Sequence, residues 1–339
     1  MTWLDKKLLV TMGTGGVGKT TLSAALAVKA ALAGKKVLVM TIDPSQRLKS
    51  ALGLTSLQGE PVSIPMQEAE GEIWASLLDP KYEFDRFIEK NTANQEQKNK
   101  ILNNRLYQRL STSLAGSQEF TAMESVVSRV ESKDYDLVIL DTPPATNAID
   151  FLRAPQKFYS LFEKDVMSWF AHGSGGSWIK RALSSGTKKA IDILEGLVGK
   201  EFLGEIYDFF DAIQVVAPRI QERAIAAQNM FAHQETAFSL VSIYDEAKLA
   251  EAKELYKALK RQGYFLKYFF INKVFPFHNA KDLPPLGEKW LASFSFQTAV
   301  GEQLKQDFAR DVLVYEVYER SEDISSLDAL LKLGKSIDI

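Results

Sequence analysis

Short apolar runs alternate with longer segments of helical periodicity along most of the chain. The first run, at residues 8–10, is followed by glycines and then by an alanine- and leucine-rich segment, residues 19–33, that stops before Gly34. This pattern predicts a strand, a loop and a buried helix. A second apolar run at residues 37–40 completes a βαβ unit, which predicts a parallel sheet with a right-handed crossover.

Further apolar runs continue this alternation. They predict additional strands at residues 73–78, 137–140, 237–243 and 266–271, separated by helical or mixed segments. Such alternation is typical of the α/β class. We therefore expect a mostly parallel β-sheet flanked by helices.

The pattern changes after residue 150, where aromatic and aliphatic residues recur at spacings near three and four. The members of this stripe are Phe151, Leu152, Phe158, Leu161, Phe162, Val166, Trp169 and Phe170. We expect residues 156–212 to form a helical subdomain inserted within a single domain of residues 1–339, since no internal repeat is visible. Core packing is the first interpretation of the stripe, and a surface for a client or partner protein is the second.

The glycine-rich loop at residues 13–20 matches the P-loop pattern G-x-x-x-x-G-K-T. Its small residues let backbone N–H groups curl around phosphate oxygens, and the following helix presents its positive end to the anion. In such loops the lysine, here Lys19, reaches the β- and γ-phosphates and the hydroxyl of Thr20 ligates Mg²⁺. A chance glycine turn is the alternative, but the predicted strand before the loop and helix after it favour the P-loop. The candidate nucleotide-binding residues are Gly13, Thr14, Gly15, Gly16, Val17, Gly18, Lys19, Thr20 and Thr21.

Two aspartates stand at or just after predicted strand ends. Asp43 follows residues 37–40 and precedes Pro44, and we expect it to position the attacking water. Asp141 ends the run at residues 137–140, and we expect it to hold a Mg²⁺-bound water, as a Walker B aspartate does. A turn or a helix cap is the common alternative for an aspartate. The carboxyl ends of parallel strands are where ligand groups gather, which favours function.

Composition narrows the classes of function. The chain has 339 residues, of which 46% are hydrophobic and 25% charged, with a formal net charge of −2, so it has no overall attraction to nucleic acid. No run approaches the ~18 apolar residues that span a bilayer, and Asp5, Lys6 and Lys7 interrupt any secretory signal. We therefore expect a cytoplasmic protein that does not bind nucleic acid. The absence of cysteine excludes disulfides, thiolate metal sites and cysteine nucleophiles.

Taken together, these motifs resemble those of the ArsA family of P-loop ATPases, which includes the eukaryotic ATPase that targets tail-anchored proteins and is related to MinD and ParA. The resemblance covers most of the chain. It rests on a deviant Walker A loop at residues 13–21, a switch I sequence at 41–45 and a switch II sequence at 141–144. It extends to residues 116–119 and 270–273.

The resemblance implies an ATPase that binds ATP and Mg²⁺ and works as a dimeric conformational switch. The helical subdomain would transmit the nucleotide state to a hydrophobic protein client or a membrane-protein partner. It also implies that Asn272 contacts adenine, whose edge an amide can read with one acceptor and two donors. Without the resemblance, a strand-end turn would be the favoured interpretation of Asn272. A MinD- or ParA-like positioning ATPase is the alternative, although the balanced charge of residues 323–339 makes a poor membrane anchor.

The sequence departs from the family pattern at Thr14, where members usually carry a lysine that reaches phosphates across or at a dimer interface. Threonine is short and neutral, so it cannot supply that charge. Three explanations would account for Thr14: the protein hydrolyses ATP slowly, another basic residue supplies the charge, or the chain forms a heterodimer with a lysine-bearing paralogue. We favour the heterodimer. In it, this chain would be a catalytically weak nucleotide-binding half. Residues 145–148 also differ from the Thr-Gly-His-Thr type of sequence, and without cysteine the thiolate binding of metalloids is not expected.

Overall fold

The computed structural model describes residues 2–43, 47–52, 54, 59–108, 117–143, 145–163, 200–275, 295–304, 312–320, 323–324 and 326–337. The chain forms two compact units. The first comprises Met1–Leu78, Val126–Leu152 and Asn229–Ile339, and the second comprises Asp79–Ser125 and Arg153–Gln228.

The first unit contains a sheet whose described strands lie in the order β3-β4-β2-β5-β1-β6-β7-β8. Only the β3–β4 pair within it is antiparallel. The strands are β1 (Leu8–Gly13), β2 (Lys36–Thr41), β3 (Val62–Ile64), β4 (Glu72–Leu77), β5 (Leu137–Asp141), β6 (Thr236–Ser242), β7 (Leu266–Val274) and β8 (Leu313–Tyr318). The predicted fold class, a mostly parallel sheet flanked by helices, is confirmed, as are the six predicted strands.

Helices are distributed over both units. They are α1 (Lys19–Leu32), α2 (Arg47–Ala51), α3 (Pro80–Asn91), α4 (Gln95–Leu102), α5 (Ser117–Ser132), α6 (Ala145–Leu161), α7 (Lys200–Ile213), α8 (Ala217–Ala232), α9 (Glu246–Arg261) and α10 (Leu327–Ser336). A short 3-10 helix, Trp3–Asp5, precedes β1. Residues 105–108 and 295–304 are also helical. No helix in these described ranges is long and apolar enough to cross a membrane.

The core of the first unit is built around β1, β2 and β5, whose residues are almost all fully buried. Helix α1 packs on these strands, and its small side chains are buried on most of its circumference. This explains the alanine-rich sequence of α1, because a helix enclosed on nearly all sides needs little side-chain volume. The position of α1 fixes the loop that precedes it.

Helix α10 also packs against α1. A Cβ added at Gly334 would lie 2.9 Å from the carbonyl oxygen of Ala25 and 3.1 Å from Cγ1 of Val28, so the two helix backbones approach closely. The ammonium of Lys29 in α1 donates a hydrogen bond to the carbonyl of Ile337, just after α10. The C-terminal helix is thereby attached to the same helix that follows the glycine-rich loop.

The second unit has a core of its own, rich in aromatic residues. Phe84, Phe87, Tyr107 and Phe120 pack with the buried residues of α7 and the start of α8. The rings of Phe84 and Tyr107 stack with centroids 5.5 Å apart. Such aromatic packing buries large apolar areas and accounts for a separate compact unit.

The stripe and the predicted helical subdomain fall partly outside the described residues. Phe151 and Phe162 are buried, at 0% and 3% exposure. The side chains of Leu152, Phe158 and Leu161 lie outside the description, as do Val166, Trp169 and Phe170. The described parts of residues 156–212, residues 156–163 and 200–212, belong to the second unit. Residues 164–199 lie outside the described ranges, so the extent of the subdomain stays a prediction.

We predict that Gly334→Ala destabilises the protein by about 1–3 kcal/mol, the usual cost of overpacking, because the new methyl group meets the backbone of α1. Gly204→Ala is the matched control: it lies in α7, and no described atom is within 4 Å of an added Cβ. There the helix propensity of alanine should stabilise by about 0.5–1 kcal/mol. Thermal unfolding of both variants checks this, and equal shifts of the melting temperature would contradict the close helix approach.

Candidate functional site

The glycine-rich loop lies between a strand and a helix, as the sequence predicts. Strand β1 ends at Gly13 and α1 begins at Lys19, which leaves residues 14–18 as the connection. The N-cap residue Gly18 has a φ of 91°, a left-handed conformation that glycine adopts without a Cβ penalty. The first N–H groups of α1 have no partners within the helix, which makes this end suited to an anion.

The lysine of the loop is buried and is held by the loop itself. Lys19 is 8% exposed, and its ammonium donates a hydrogen bond of 2.9 Å to the carbonyl oxygen of Thr14. The Thr14 side chain is fully buried, and no described atom forms a hydrogen bond with its hydroxyl. The charge of Lys19 is therefore already inside the loop.

A cluster of hydroxyl groups surrounds Asp141 at the carboxyl edge of the sheet. Strand β5 lies between β1 and β2, and the register places Asp141 beside Thr11 and Thr41. The hydroxyl of Thr20 donates to Oδ2 of Asp141 at 2.6 Å, and that of Thr41 donates to the same oxygen at 2.9 Å. The next residue, Thr142, donates from both its N–H and its hydroxyl to the carbonyl of Thr11.

The Asp141 carboxyl is fully buried, at 0% exposure. Burial raises its pKa from 3.8 to about 6, and the hydrogen bonds from Thr20 and Thr41 and the charge of Lys19 limit this rise. The negative charge of Asp43 adds to the rise. No described group forms a hydrogen bond with Oδ1 of Asp141. A buried carboxylate oxygen without a partner costs free energy, so it is well placed to accept a hydrogen bond from a ligand.

Asp43 follows β2 by two residues and is partly buried. Its backbone N–H donates to the hydroxyl of Thr41 at 3.2 Å. The same hydroxyl donates to Asp141, so Thr41 links the two predicted acidic residues. Pro44 and the next two residues lie outside the described ranges.

The side chain of Asn272 contacts the glycine-rich loop. It stands near the end of β7, and its amide nitrogen donates to the carbonyl of Val17 at 2.8 Å. A Cβ added at Gly18 would lie 2.3 Å from this nitrogen, so glycine at this position makes the contact possible. Among the described residues, no hydrogen bond is formed by the amide oxygen or the second N–H of Asn272, so both suit a ligand.

A cavity of about 440 Å³ opens beside Asn272 and the first turn of α1. It is lined by Gly18, Thr21, Leu22, Asn272, Lys273, Tyr318, Glu319, Arg320, Asp323, Ile324 and Leu333. The guanidinium of Arg320 donates to the carbonyl of Lys332 at 3.0 Å and to the hydroxyl of Ser336 at 2.6 Å. One wall of the cavity is therefore attached to α10.

Sequence reasoning did not identify the wall formed by Tyr318, Glu319 and Arg320. These residues stand at the end of β8, a strand that the sequence analysis also missed. The segment Leu-Val-Tyr-Glu-Val-Tyr at residues 313–318 is rich in strand-forming residues and could have indicated it. A parallel strand there would have placed its carboxyl end at the edge that carries the other site residues.

The donor set can be tested against the predicted Mg²⁺. No group of three or more His, Cys, Asp or Glu side chains that could hold a metal occurs in the described part of the chain. A cation here would need ligands from a phosphate. Mg²⁺ commonly binds in that way, with one or two protein oxygens, substrate phosphates and several waters. The Thr20 hydroxyl fits such a cation, as does Oδ1 of Asp141, which has no hydrogen-bond partner among the described residues.

Two predicted motif segments are described only in part. In residues 116–119 the structure describes the side chain of Glu119 alone, which is partly buried. In the segment after Asp141, Thr142 and Pro143 are described and residue 144 is not. The side chains of residues 145–147, where the sequence departs from the family pattern, also lie outside the description.

Comparison with known proteins gives a family match over nearly the whole chain. The model of the anion-transporting ATPase family, ArsA, matches residues 6–338. ATPase ARSA1 of Chlamydomonas reinhardtii is 25% identical over 80% of the chain and 35% of its own length. ATPase GET3B of Arabidopsis thaliana is 24% identical over 80% of the chain and 65% of its own length. A putative arsenical pump-driving ATPase 1 of Aquifex aeolicus is 24% identical over 98% of the chain and 78% of its own length. The chain thus covers less than two thirds of the first two relatives.

We predict that, without nucleotide and with a chelator present, the wild-type protein loses stability as pH rises through about 6. The folded pKa of Asp141, about 6, lies above the unfolded value of 3.8. The folded state therefore binds the proton more tightly, and the stability present below the unfolded pKa is lost as pH passes the folded pKa. Asp141→Asn should remove this loss.

Urea unfolding at a series of pH values measures the effect. Asp134→Asn is the control, because Asp134 is exposed in the turn before β5, and it should keep the wild-type pH dependence. The same slope in Asp141→Asn and in the wild type would contradict the buried-carboxyl interpretation.

Proposed function

The chain belongs to the anion-transporting ATPase (ArsA) family, and on this basis we propose that it binds ATP with Mg²⁺ at the glycine-rich loop and hydrolyses it. The observation that carries the proposal is the buried cluster of Lys19, Thr20 and Asp141. It combines an ammonium group, a hydroxyl group and a carboxylate, one oxygen of which accepts no hydrogen bond from the described residues. These are the groups that phosphoryl transfer from a nucleotide requires.

The phosphates would bind at the N-terminus of α1. Backbone N–H groups of the loop and the helix dipole favour the anion there. Lys19 would exchange the carbonyl of Thr14 for a phosphate oxygen, which is the stronger, charge-assisted partner. Because the Lys19 ammonium is already buried, phosphate binding does not have to remove it from water.

The Thr20 hydroxyl and Asp141 are the groups that would hold Mg²⁺, the threonine directly and the aspartate through a bound water. A Mg²⁺ ion held there would neutralise the charge that develops on the phosphates. In the structure, the Thr20 hydroxyl donates to Asp141. On binding of the cation, the hydroxyl oxygen of Thr20 would turn towards it. The carboxylate would keep its hydrogen bond from Thr41.

Asp43 is proposed to orient the attacking water. It lies at the carboxyl end of β2, next to the strand that carries Asp141, and its N–H is held by Thr41. A carboxylate that accepts a hydrogen bond from water fixes the water's lone pair for attack in line with the leaving oxygen. Asp43 therefore acts by positioning the nucleophile.

The base would occupy the cavity beside Asn272. The cavity adjoins the first turn of α1, where the phosphates bind, and its volume of about 440 Å³ suits a nucleoside. Asn272 offers an amide oxygen and one N–H beyond the bond to Val17, which match the amino group and ring nitrogen of adenine. The same side chain would then contact both the base and the phosphate loop.

We also propose that the nucleotide state drives a dimeric switch that acts on a hydrophobic protein client or a membrane-protein partner. Family membership supports the dimeric switch, and the helices of the second unit are the proposed surface for the client. Binding of arsenic or antimony through thiolates is not part of the proposal, because the chain has no cysteine.

We predict that Lys19→Ala loses ATP binding, because the remaining N–H groups carry no full charge. Asp43→Asn should bind ATP with Mg²⁺ normally and hydrolyse it about 10²-fold more slowly or worse, since a positioned group of this kind contributes about 10²–10⁴ to the rate. Equilibrium binding and phosphate release measure the two effects. Asp134→Asn, which changes an exposed aspartate away from the loop, is the control. Normal hydrolysis by Asp43→Asn would remove Asp43 from the mechanism.

A heterodimer is the second candidate for the functional form, and Thr14 is the observation that favours it. Its side chain is neutral and fully buried, so it supplies no charge to a second nucleotide site. We predict slow hydrolysis by the purified chain and an increase when a lysine-bearing family member from the same cell is added. Size-exclusion chromatography and phosphate release test this. A homodimer whose activity is unaffected by the added protein would overturn the heterodimer.

A further inference from the structure

Thr41, the last residue of β2, forms hydrogen bonds with both acidic residues of the site. It is 2% exposed. Its hydroxyl donates to Oδ2 of Asp141 at 2.9 Å and accepts from the N–H of Asp43 at 3.2 Å. A hydroxyl has one proton, and here that proton is used on the carboxylate. Thr41 is therefore oriented by its neighbours and has a defined place in the site.

Backbone pairing reinforces this link. Thr41 stands opposite Asp141 in the parallel register of β2 and β5. The next N–H along the chain, that of Ile42, donates to the carbonyl of Asp141 at 3.3 Å. The segment that leads to Asp43 is thus attached to Asp141 through both a side chain and a backbone group.

We expect the two hydroxyls that donate hydrogen bonds to Asp141 to behave differently when nucleotide binds. Thr20 and Thr41 now donate to the same oxygen, Oδ2. Thr20 belongs to the phosphate loop and would be recruited towards the nucleotide. Thr41 contacts neither the loop nor the cavity in the described hydrogen bonds and lining, so its bond can persist in both states.

We propose that Thr41 is a positioning residue that couples the state of the Asp141 carboxylate to the backbone of Asp43, and through it to the attacking water. This inference rests on the proposed ATPase function. Hydrogen bonds in a chain polarise one another at low dielectric. A hydroxyl that donates to a carboxylate is therefore a better acceptor for the Asp43 N–H. Any change at Asp141 alters the strength of that second bond.

Two substitutions separate this role from a structural one. Thr41→Val keeps the shape and removes the hydroxyl, whereas Thr41→Ser keeps the hydroxyl and removes a buried methyl group. Valine leaves the Asp141 carboxylate and the Asp43 N–H each without one partner, and serine leaves a small cavity, so both substitutions should lower stability. The coupling role predicts that function differs between them, with Thr41→Ser close to wild type.

Thr236→Val is the matched control. Thr236 is also a buried strand threonine, at 3% exposure, and its hydroxyl donates to the carbonyl of Met230 at 2.7 Å. It lies at the amino end of β6, away from the candidate site. The same chemical change there should leave hydrolysis unaffected.

The first measurement is made without nucleotide. Amide hydrogen exchange followed by mass spectrometry should show faster exchange at Asp43 in Thr41→Val, because its N–H has lost an acceptor. Residue 44 is proline and carries no amide hydrogen, which simplifies the assignment to Asp43. Thr41→Ser and Thr236→Val should exchange at this site as the wild type does.

The second measurement is ATP binding and hydrolysis with Mg²⁺ and with a chelator. In Thr41→Val we expect kcat to fall by about one to two orders of magnitude, the effect of losing one hydrogen bond to a charged group. ATP binding in the chelator should stay at the wild-type level. The gain in affinity on adding Mg²⁺ should shrink, and Thr41→Ser should restore both properties.

The outcomes distinguish the inference from the function on which it rests. A wild-type protein that neither binds nor hydrolyses ATP would overturn the proposed function and the coupling with it. A working wild type with unchanged Asp43 exchange and kcat in Thr41→Val would overturn the coupling alone. A Thr41→Ser variant as impaired as Thr41→Val would also overturn it, because the hydroxyl would then not be the cause.

Discussion

A carboxylate removed from water at the centre of a parallel sheet must be stabilised by the groups around it, and Asp141 is in this position. Its donors come from different elements: Thr20 from α1 and Thr41 from β2. The charge of Lys19 also acts on it. These groups converge only because β5 lies between β1 and β2. The order of the central strands thus brings the start of α1 and the end of β2 to one buried carboxylate.

The loop that carries Lys19 and Thr20 is fixed from two sides. Behind it, α1 is packed on the sheet and against α10, at the close approach of Gly334 to Ala25. Beside it, Asn272 at the end of β7 holds the carbonyl of Val17. A site supported by rigid elements keeps its geometry without a ligand, which lowers the ordering cost of binding. The hydrogen bond between Lys19 and the Thr14 carbonyl is part of this preorganisation.

Most of the sheet could be predicted from the sequence because its inner strands are continuous apolar runs, as strands buried on both faces must be. Strand β3 has only three residues, and β8 is a partly exposed edge strand, so neither forms such a run. The loop and Asp141 were found by motif and by strand-end position. The cavity wall at Arg320 and the double hydrogen bond of Thr41 were not found. Both depend on which strands become neighbours in the sheet, and the local pattern of a single strand does not give the strand order.

The glycine-rich loop and the cavity beside it are formed by segments that are far apart in the chain. The glycine-rich loop occupies residues 13–21, whereas the cavity wall includes Asn272, Arg320 and Leu333. Strand β1, which leads into the loop, pairs with β6 through residues such as Leu8 and Thr236. Contacts of such long sequence separation carry the entropy cost of closing a large loop. On the ribosome, the glycine-rich loop would be synthesised well before the residues that complete the cavity beside Asn272. In the proposed function, nucleotide would therefore gain its full set of contacts only in chains whose two distant segments have already folded together.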